Sequence, residues 1–103
     1  MDSSHFVHVV FFWLKEGLSQ AEKQAFEKGV RSLGAIRTLT WFALGTPAGT
    51  PREVVDNSYD YALVTHFADK EGHDIYQEDP IHLEFIAACK QYWTRVQVYD
   101  AWI

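Results

Sequence analysis

The stretch Tyr76-Gln77-Glu78-Asp79-Pro80-Ile81-His82-Leu83-Glu84-Phe85 decides how this chain reads. Asp79 is a good helix N-cap, since its carboxylate can accept from backbone N–H groups left unpaired in a first turn. Pro80 suits the first helical position, where no N–H is needed. His82 then falls in that first turn, at the positive end of the helix dipole, which disfavours imidazolium and favours a neutral, proton-accepting ring. His82, Phe85, Ile86, Cys89 and Trp93 share one stripe at helical spacing, so the imidazole is expected to face the apolar side of a helix running to about Trp93.

Outward from this helix the pattern alternates. Phe6 to Leu14 reads as a strand whose two rows, Val7, Val9, Phe11, Trp13 and His8, Val10, Phe12, Leu14, are both mainly apolar. Ser19 to Glu22 fits a capping box opening a helix to about Leu33, with Ala25, Phe26, Gly29, Val30 and Leu33 inward and Gly34 as its stop. Thr38 to Gly45 reads as a second strand, with Leu39, Trp41 and Ala43 opposing Thr40, Phe42 and Leu44. Tyr59 to Phe67 reads as a third, and Arg95 to Ile103 as a fourth. Asp69 can cap a short helix ending near Gln77. Residues 46–58 form a long connection containing Pro47, Gly49 and Pro51, which reads as a mobile hairpin excursion or a binding loop.

The order β-α-β-β-α-β is the ferredoxin-like, split βαβ arrangement: an α+β fold with a four-stranded antiparallel sheet and its helices on one face. The face without helices would expose a row from every strand. Pairing of that face with a second copy, as a homodimer, is the expected relief.

Composition bounds the rest. The chain has 103 residues, enough for a single domain spanning 1–103 with a sizeable core. Four Trp, five Tyr and seven Phe are many for that length and ask for an aromatic core, a ligand or a partner. Net charge is −5, with no basic run, which excludes nucleic acid and anionic membranes as expected partners. The one cysteine, Cys89, allows no internal disulfide. With no basic leader and no apolar run longer than Val9 to Leu14, a cytoplasmic protein is expected.

The set His8-x-Val10-x-Phe12, Ser58-Tyr59-Asp60 and Tyr76-x-x-Asp79-Pro80-x-His82-x-x-Phe85, in this order, resembles the stress-responsive dimeric α/β barrel (Dabb) family. Val98-Tyr99-Asp100 is similar to that family's usual ending. The resemblance runs from Phe6 to Trp102 and implies a dimeric α+β barrel. A plant member of similar layout is a polyketide cyclase that closes a linear tetraketide by aldol condensation. The resemblance places His82 at its general base, with Tyr76 and His8 at matching positions. Tyr61 stands where that enzyme has a histidine working with the base, and Gly29 falls near its assisting tyrosine.

The expected function is binding of a small apolar or aromatic molecule inside the barrel, with cyclase-like proton transfer by His82. His8, Tyr61 and Tyr76 are the other candidate site residues. The plainer role for each is structural: a capping or packing histidine, strand polar groups meeting backbone, a buried tyrosine. Trp13, Trp41 and Trp102 suit the dimer interface better than a ligand site, and His5 and His66 read as surface or structural residues. No Gly-rich phosphate loop or cofactor fingerprint occurs. No metal is expected either: His5 and His8 point to opposite faces of a strand, and no Cys or His cluster has ligand spacing. Two other readings are a cofactor-free monooxygenase of the dimeric barrel type, by fold analogy, and a non-enzymatic structural dimer.

Overall fold

The computed structural model describes residues 5–103. Four strands, β1 (Phe6–Leu14), β2 (Leu39–Gly45), β3 (Tyr61–Phe67) and β4 (Trp93–Trp102), make one antiparallel sheet in the order β2-β3-β1-β4. Helix α1 (Gln20–Ser32) follows β1, while α2 (Lys70–Glu78) and α3 (Pro80–Cys89) together connect β3 to β4.

Local chemistry sets the helix starts. Ser19 and Glu22 close a reciprocal capping box, with Glu22 N–H donating to Ser19 Oγ at 3.1 Å and Ser19 N–H to Glu22 Oε1 at 2.8 Å. Asp69 caps α2 by accepting from Gly72 N–H at 2.8 Å, and Asp79 caps α3 by accepting from Ile81 N–H at 2.8 Å. Because Asp79 has extended backbone (φ −63°, ψ 139°), as a residue before proline prefers, the chain bends there and α3 starts afresh.

Helix ends depart from the sequence pattern. Gly34 is not a left-handed stop: α1 gives way at Leu33–Ala35 to a 3₁₀ turn, and among the described residues only Gly17 and Gly49 have positive φ. Helix α3 stops at Cys89 rather than Trp93, and Lys90–Tyr92 tighten into a second 3₁₀ turn. The cause is sheet pairing. Lys15 N–H takes the Tyr92 carbonyl at 2.9 Å, which draws the chain into the β1–β4 ladder from Trp93 onward. The paired part of the third strand starts at Tyr61, and Asp60 just before it is tied to β1 twice: its N–H donates to the Phe12 carbonyl at 2.8 Å and its carboxylate accepts from Leu14 N–H at 2.7 Å.

The core lies between the sheet and the helices. Phe6, Val10 and Phe12 of β1, Leu63 and Phe67 of β3, Phe26, Val30 and Leu33 from the first helical segment, Ile36, and Tyr76, Phe85 and Cys89 of α2 and α3 are buried together. Helices α1 and α3 touch closely at Gly29, where a Cβ would stand 2.5 Å from Cys89 Sγ. That contact explains why a small residue occupies the position where the family resemblance pointed to an assisting tyrosine.

The opposite face has no helices. Val7, Val9, Phe11 and Trp13 of β1 lie there beside Ala62, Val64 and His66 of β3. From β4 come Arg95, Gln97, Tyr99 and Ala101, and Arg95 stacks its guanidinium 4.1 Å from the Trp13 ring. On β2 a register shift between Leu39 and Trp41 leaves Thr40 as an extra residue. Leu39 therefore joins Phe42 and Leu44 on the core side, while Trp41 and Ala43 face outward, a split that strict alternation misassigns. Trp102 lies on the core side as well, its ring edge-on to Phe6 at 5.2 Å, so it is not part of the helix-free face. The 46–60 connection is pinned rather than free-standing. Asn57 accepts from Gly49 N–H at 3.2 Å and donates to Thr50 O at 2.9 Å, and Trp13 Nε1–H donates to Ser58 Oγ at 3.0 Å.

Candidate functional site

A cavity of about 140 Å³ lies between the helix layer and the sheet. His8, Tyr76, Gln77 and His82 supply its polar lining, and Val10, Phe12, Leu63, Phe85, Trp93 and Val98 much of its apolar wall. Among the lining residues Val96 and Val98 of β4 are large and exposed, at 37% and 40%, which puts the mouth over the edge strand. The cavity belongs to one protomer and opens beside the core. The imidazole of His82 lines this cavity from α3, on the helix side of its own sheet.

His82 owes its position to the Asp79-Pro80 start of α3, which turns it towards β1. Its ring lies edge-on to Tyr76 at 4.9 Å and to Phe85 at 6.3 Å. Its Nδ1 is buried without a hydrogen-bond partner. Burial pulls its pKa below the ordinary value, the nearby His8 and His73 add to this, and Asp79 pulls the other way. The neutral form expected from the helix dipole is thus favoured chiefly by desolvation.

His8 is buried in the centre of the sheet, 5% exposed. Its Nδ1–H donates to Asp100 Oδ1 at 2.6 Å across the β1–β4 pair, which leaves Nε2 as the acceptor, 3.4 Å from the Gln77 side-chain nitrogen. Burial lowers its pKa more than Asp100 raises it. Tyr76 is buried against Phe67 and His82, and the same desolvation pushes its phenol well above the usual range.

The fourth candidate is elsewhere. Tyr61 donates its hydroxyl to Glu27 Oε2 of α1 at 2.7 Å, is pushed up to about 12 by burial and then by Glu27, and does not line the cavity. It faces an open cleft with Trp13, Lys15, Lys23 and Asp60 instead. His82, His8 and Tyr76 are brought together; Tyr61 is not, so it cannot orient the His82 imidazole. Cys89 is buried with its thiol pKa raised, which suits packing and not nucleophilic attack.

Three residues beside the cavity escaped sequence reasoning. His73 of α2 places its ring 4.6 Å from that of His8, and Gln77, one turn later, bridges to both. Asp100 stands on β4. Local ligand spacing is absent from the chain, yet one ligand atom from each of His8, His73 and Asp100 falls within 4.8 Å of the others. The signal for His73 and Gln77 was their i, i+4 spacing on a helix whose Tyr76 was already in view.

Two histidines with lowered pKa, His8 buried and His82 half-buried, give stability a sign in pH. Both folded-state pKa values lie below the ordinary 6.5, so at mildly acidic pH the unfolded chain binds the extra protons. Their contribution is steady above about pH 6.5 and is lost as pH falls below it. Thermal unfolding from about pH 7.5 to 5 should show Tm dropping below that point, and His82→Gln should flatten the drop. An unchanged slope in His82→Gln would remove His82 from this account.

With helices on one side and a bare strand face on the other, the architecture is that of a ferredoxin-like α+β protein. The chain belongs to the Dabb family, whose model, the Stress responsive A/B Barrel Domain, matches residues 6–103. Among solved structures, a Dabb family protein with a ferredoxin-like fold from Mesorhizobium loti is 24% identical, with a TM-score of 0.77 over 95% of each chain. A dimeric ferredoxin-like protein of unknown function from Thermobifida fusca is 19% identical, with a TM-score of 0.80 over 98% of this chain and 92% of that one. A hydroxynitrile lyase from Passiflora edulis is 20% identical, with a TM-score of 0.83 over 98% of this chain and 94% of that one. At these identities the likeness shows the fold. No curated protein matches the chain in sequence. Among the described residues no helix is long and apolar enough to cross a membrane.

Proposed function

We propose that this chain works as a homodimer, paired through its helix-free sheet face, and that each protomer binds a small carbonyl compound of about one-ring size with His82 as general base. The observation carrying the proposal is the buried, unpaired Nδ1 of His82, on a ring that lines a cavity with His8, Tyr76 and Gln77 as its other polar residues. A purely structural histidine would normally have that atom satisfied. The volume, about 140 Å³, is below the range of ordinary drug-sized sites but suits a small ring, since cavities of about 150 Å³ accept benzene. An extended tetraketide does not fit it.

Neutral His82 can take a proton from the carbon next to the bound carbonyl. The C–H electron pair moves into the enolate, and the proton stays on the imidazole until it is returned. Tyr76, held protonated by burial, is a donor beside the same ring. The dimer is supported by the outward Val9, Phe11, Val64 and Trp41 and by the dimeric neighbour from Thermobifida fusca. That a hydroxynitrile lyase shares the fold shows that this scaffold can carry an enzyme.

The test is hydrogen–deuterium exchange at the α-carbon of acetophenone or phenylacetaldehyde in D₂O, followed by proton NMR. Exchange should be catalysed by the native protein and fall about 100-fold or more in His82→Ala, the usual weight of a general base. Equal exchange by native protein and His82→Ala, or no catalysis by either, rejects the assignment.

A further inference from the structure

We infer that His8, His73 and Gln77 form a binding site for a divalent transition-metal ion of the zinc type, with Asp100 and Asp74 as the carboxylates that orient its two histidines. The ring protons decide the geometry. His8 Nδ1–H donates to Asp100 at 2.6 Å and His73 Nδ1–H donates to Asp74 Oδ1 at 3.2 Å, because a carboxylate can only accept. In the neutral rings both lone pairs therefore lie on Nε2, and both converge on the end of one side chain: Gln77 Nε2 lies 3.0 Å from His73 Nε2 and 3.4 Å from His8 Nε2.

Ligands of a tetrahedral zinc-type ion, bonded at about 2.0–2.1 Å, stand roughly 3.3 Å from each other. The two Gln77 separations match that spacing. Turning the Gln77 amide over puts its carbonyl oxygen where the nitrogen now lies, giving two imidazole nitrogens and one oxygen as donors. Each histidine also has the carboxylate partner that metal-ligating histidines usually carry on their other nitrogen. The residues come from β1, α2 and β4, and the cluster is compact, with ligand atoms of His8, His73 and Asp100 within 4.8 Å of one another. Asp100 is 41% exposed at its side chain, so an ion has a route in from solvent. Binding at Nε2 displaces no proton from either ring.

The donor set predicts selectivity. Zn²⁺ and Co²⁺ take imidazole readily, whereas Mg²⁺ prefers oxygen ligands and keeps its water. His8 and Gln77 also line the cavity, so the ion would sit in its wall with one coordination position unfilled by protein. The inference does not need His82 to be a base, since His82 is outside the donor set.

Tag-free protein treated with chelator and titrated calorimetrically with Zn²⁺ should take up one equivalent per chain, and Co²⁺ should give the visible absorption of a tetrahedral site. His73→Ala and Gln77→Leu should weaken Zn²⁺ by more than 10-fold, and Asp100→Asn by about 10- to 100-fold, the usual weight of an orienting carboxylate. His66→Ala and His82→Ala should bind as the native protein does. Circular dichroism checks that each variant is folded. No stoichiometric Zn²⁺ uptake, equal binding of Mg²⁺, undiminished binding in His73→Ala, or loss in His82→Ala would each overturn the site.

Discussion

Val64→Asp is expected to turn the proposed dimer into folded monomers. Val64 sits on β3 in the middle of the helix-free face, between Val9 of β1 and Ala43 of β2. In a two-fold dimer each copy would bury its new carboxylate against the partner's apolar row. An unpaired buried charge costs about 3 kcal/mol or more, so two cost at least about 6 kcal/mol, or roughly 10⁴-fold in dissociation constant. The monomer itself should hold, because this face contributes little to the core beneath the helices. Light scattering coupled to size exclusion at micromolar concentration reads the mass directly. A Val64→Asp protein that still runs at twice the chain mass would show that the sheets do not pair through this face.

Phe26→Ala carries the largest expected cost in stability. Phe26 is fully buried on α1, and its ring meets Phe12 at 5.2 Å, Tyr61 at 5.4 Å, Phe85 at 6.3 Å and Trp93 at 6.3 Å. It is the point where α1, α3 and the sheet share one aromatic cluster, so truncation leaves a hole that no single neighbour can fill. Such losses cost about 3–5 kcal/mol. Against a total of about 5–15 kcal/mol, this threatens folding itself. At roughly 4–8 °C per kcal/mol, Tm should fall by about 12 °C or more. Leu83→Ala, at an exposed position on α3, serves as the control and should stay within about 0.5 kcal/mol of the native protein. A Phe26→Ala protein melting within a few degrees of native would mean that the core closes around the gap.

Much of this fold can be read from short signals because the physics involved is local. Ser19–Glu22, Asp69 and Asp79-Pro80 each satisfy backbone groups within a few residues, and the structure has helices starting where those residues say. Ends were harder. Trp93 continues the apolar stripe of α3 perfectly well, and what removes it from the helix is Lys15, far away in sequence, claiming the carbonyl before it. The Thr40 bulge is similar: alternation alone puts Leu39 and Trp41 together, and only pairing with β3 separates them.

The site divides along the same line. His82 and Tyr76 announce themselves, since the helix break that presents them is written in adjacent residues. Tyr61 was expected with them on family resemblance, but its position on β3 puts its hydroxyl beside α1, where Glu27 takes it. His73 and Asp100 become neighbours of His8 only once α2 has folded back across the sheet and β4 has paired with β1. Metal-ligand spacing along the chain could not have found them.

The extra residue at Thr40 has one more effect. β2 is an edge of the sheet, and a straight edge displays a row of unsatisfied N–H and C=O groups on which another chain can grow as a new strand. By inserting one unpaired residue, the bulge breaks that row and bends it, so the periodicity an incoming strand would need is lost. The same irregularity that sends Trp41 outward also makes this border of the sheet a poor template for open-ended aggregation.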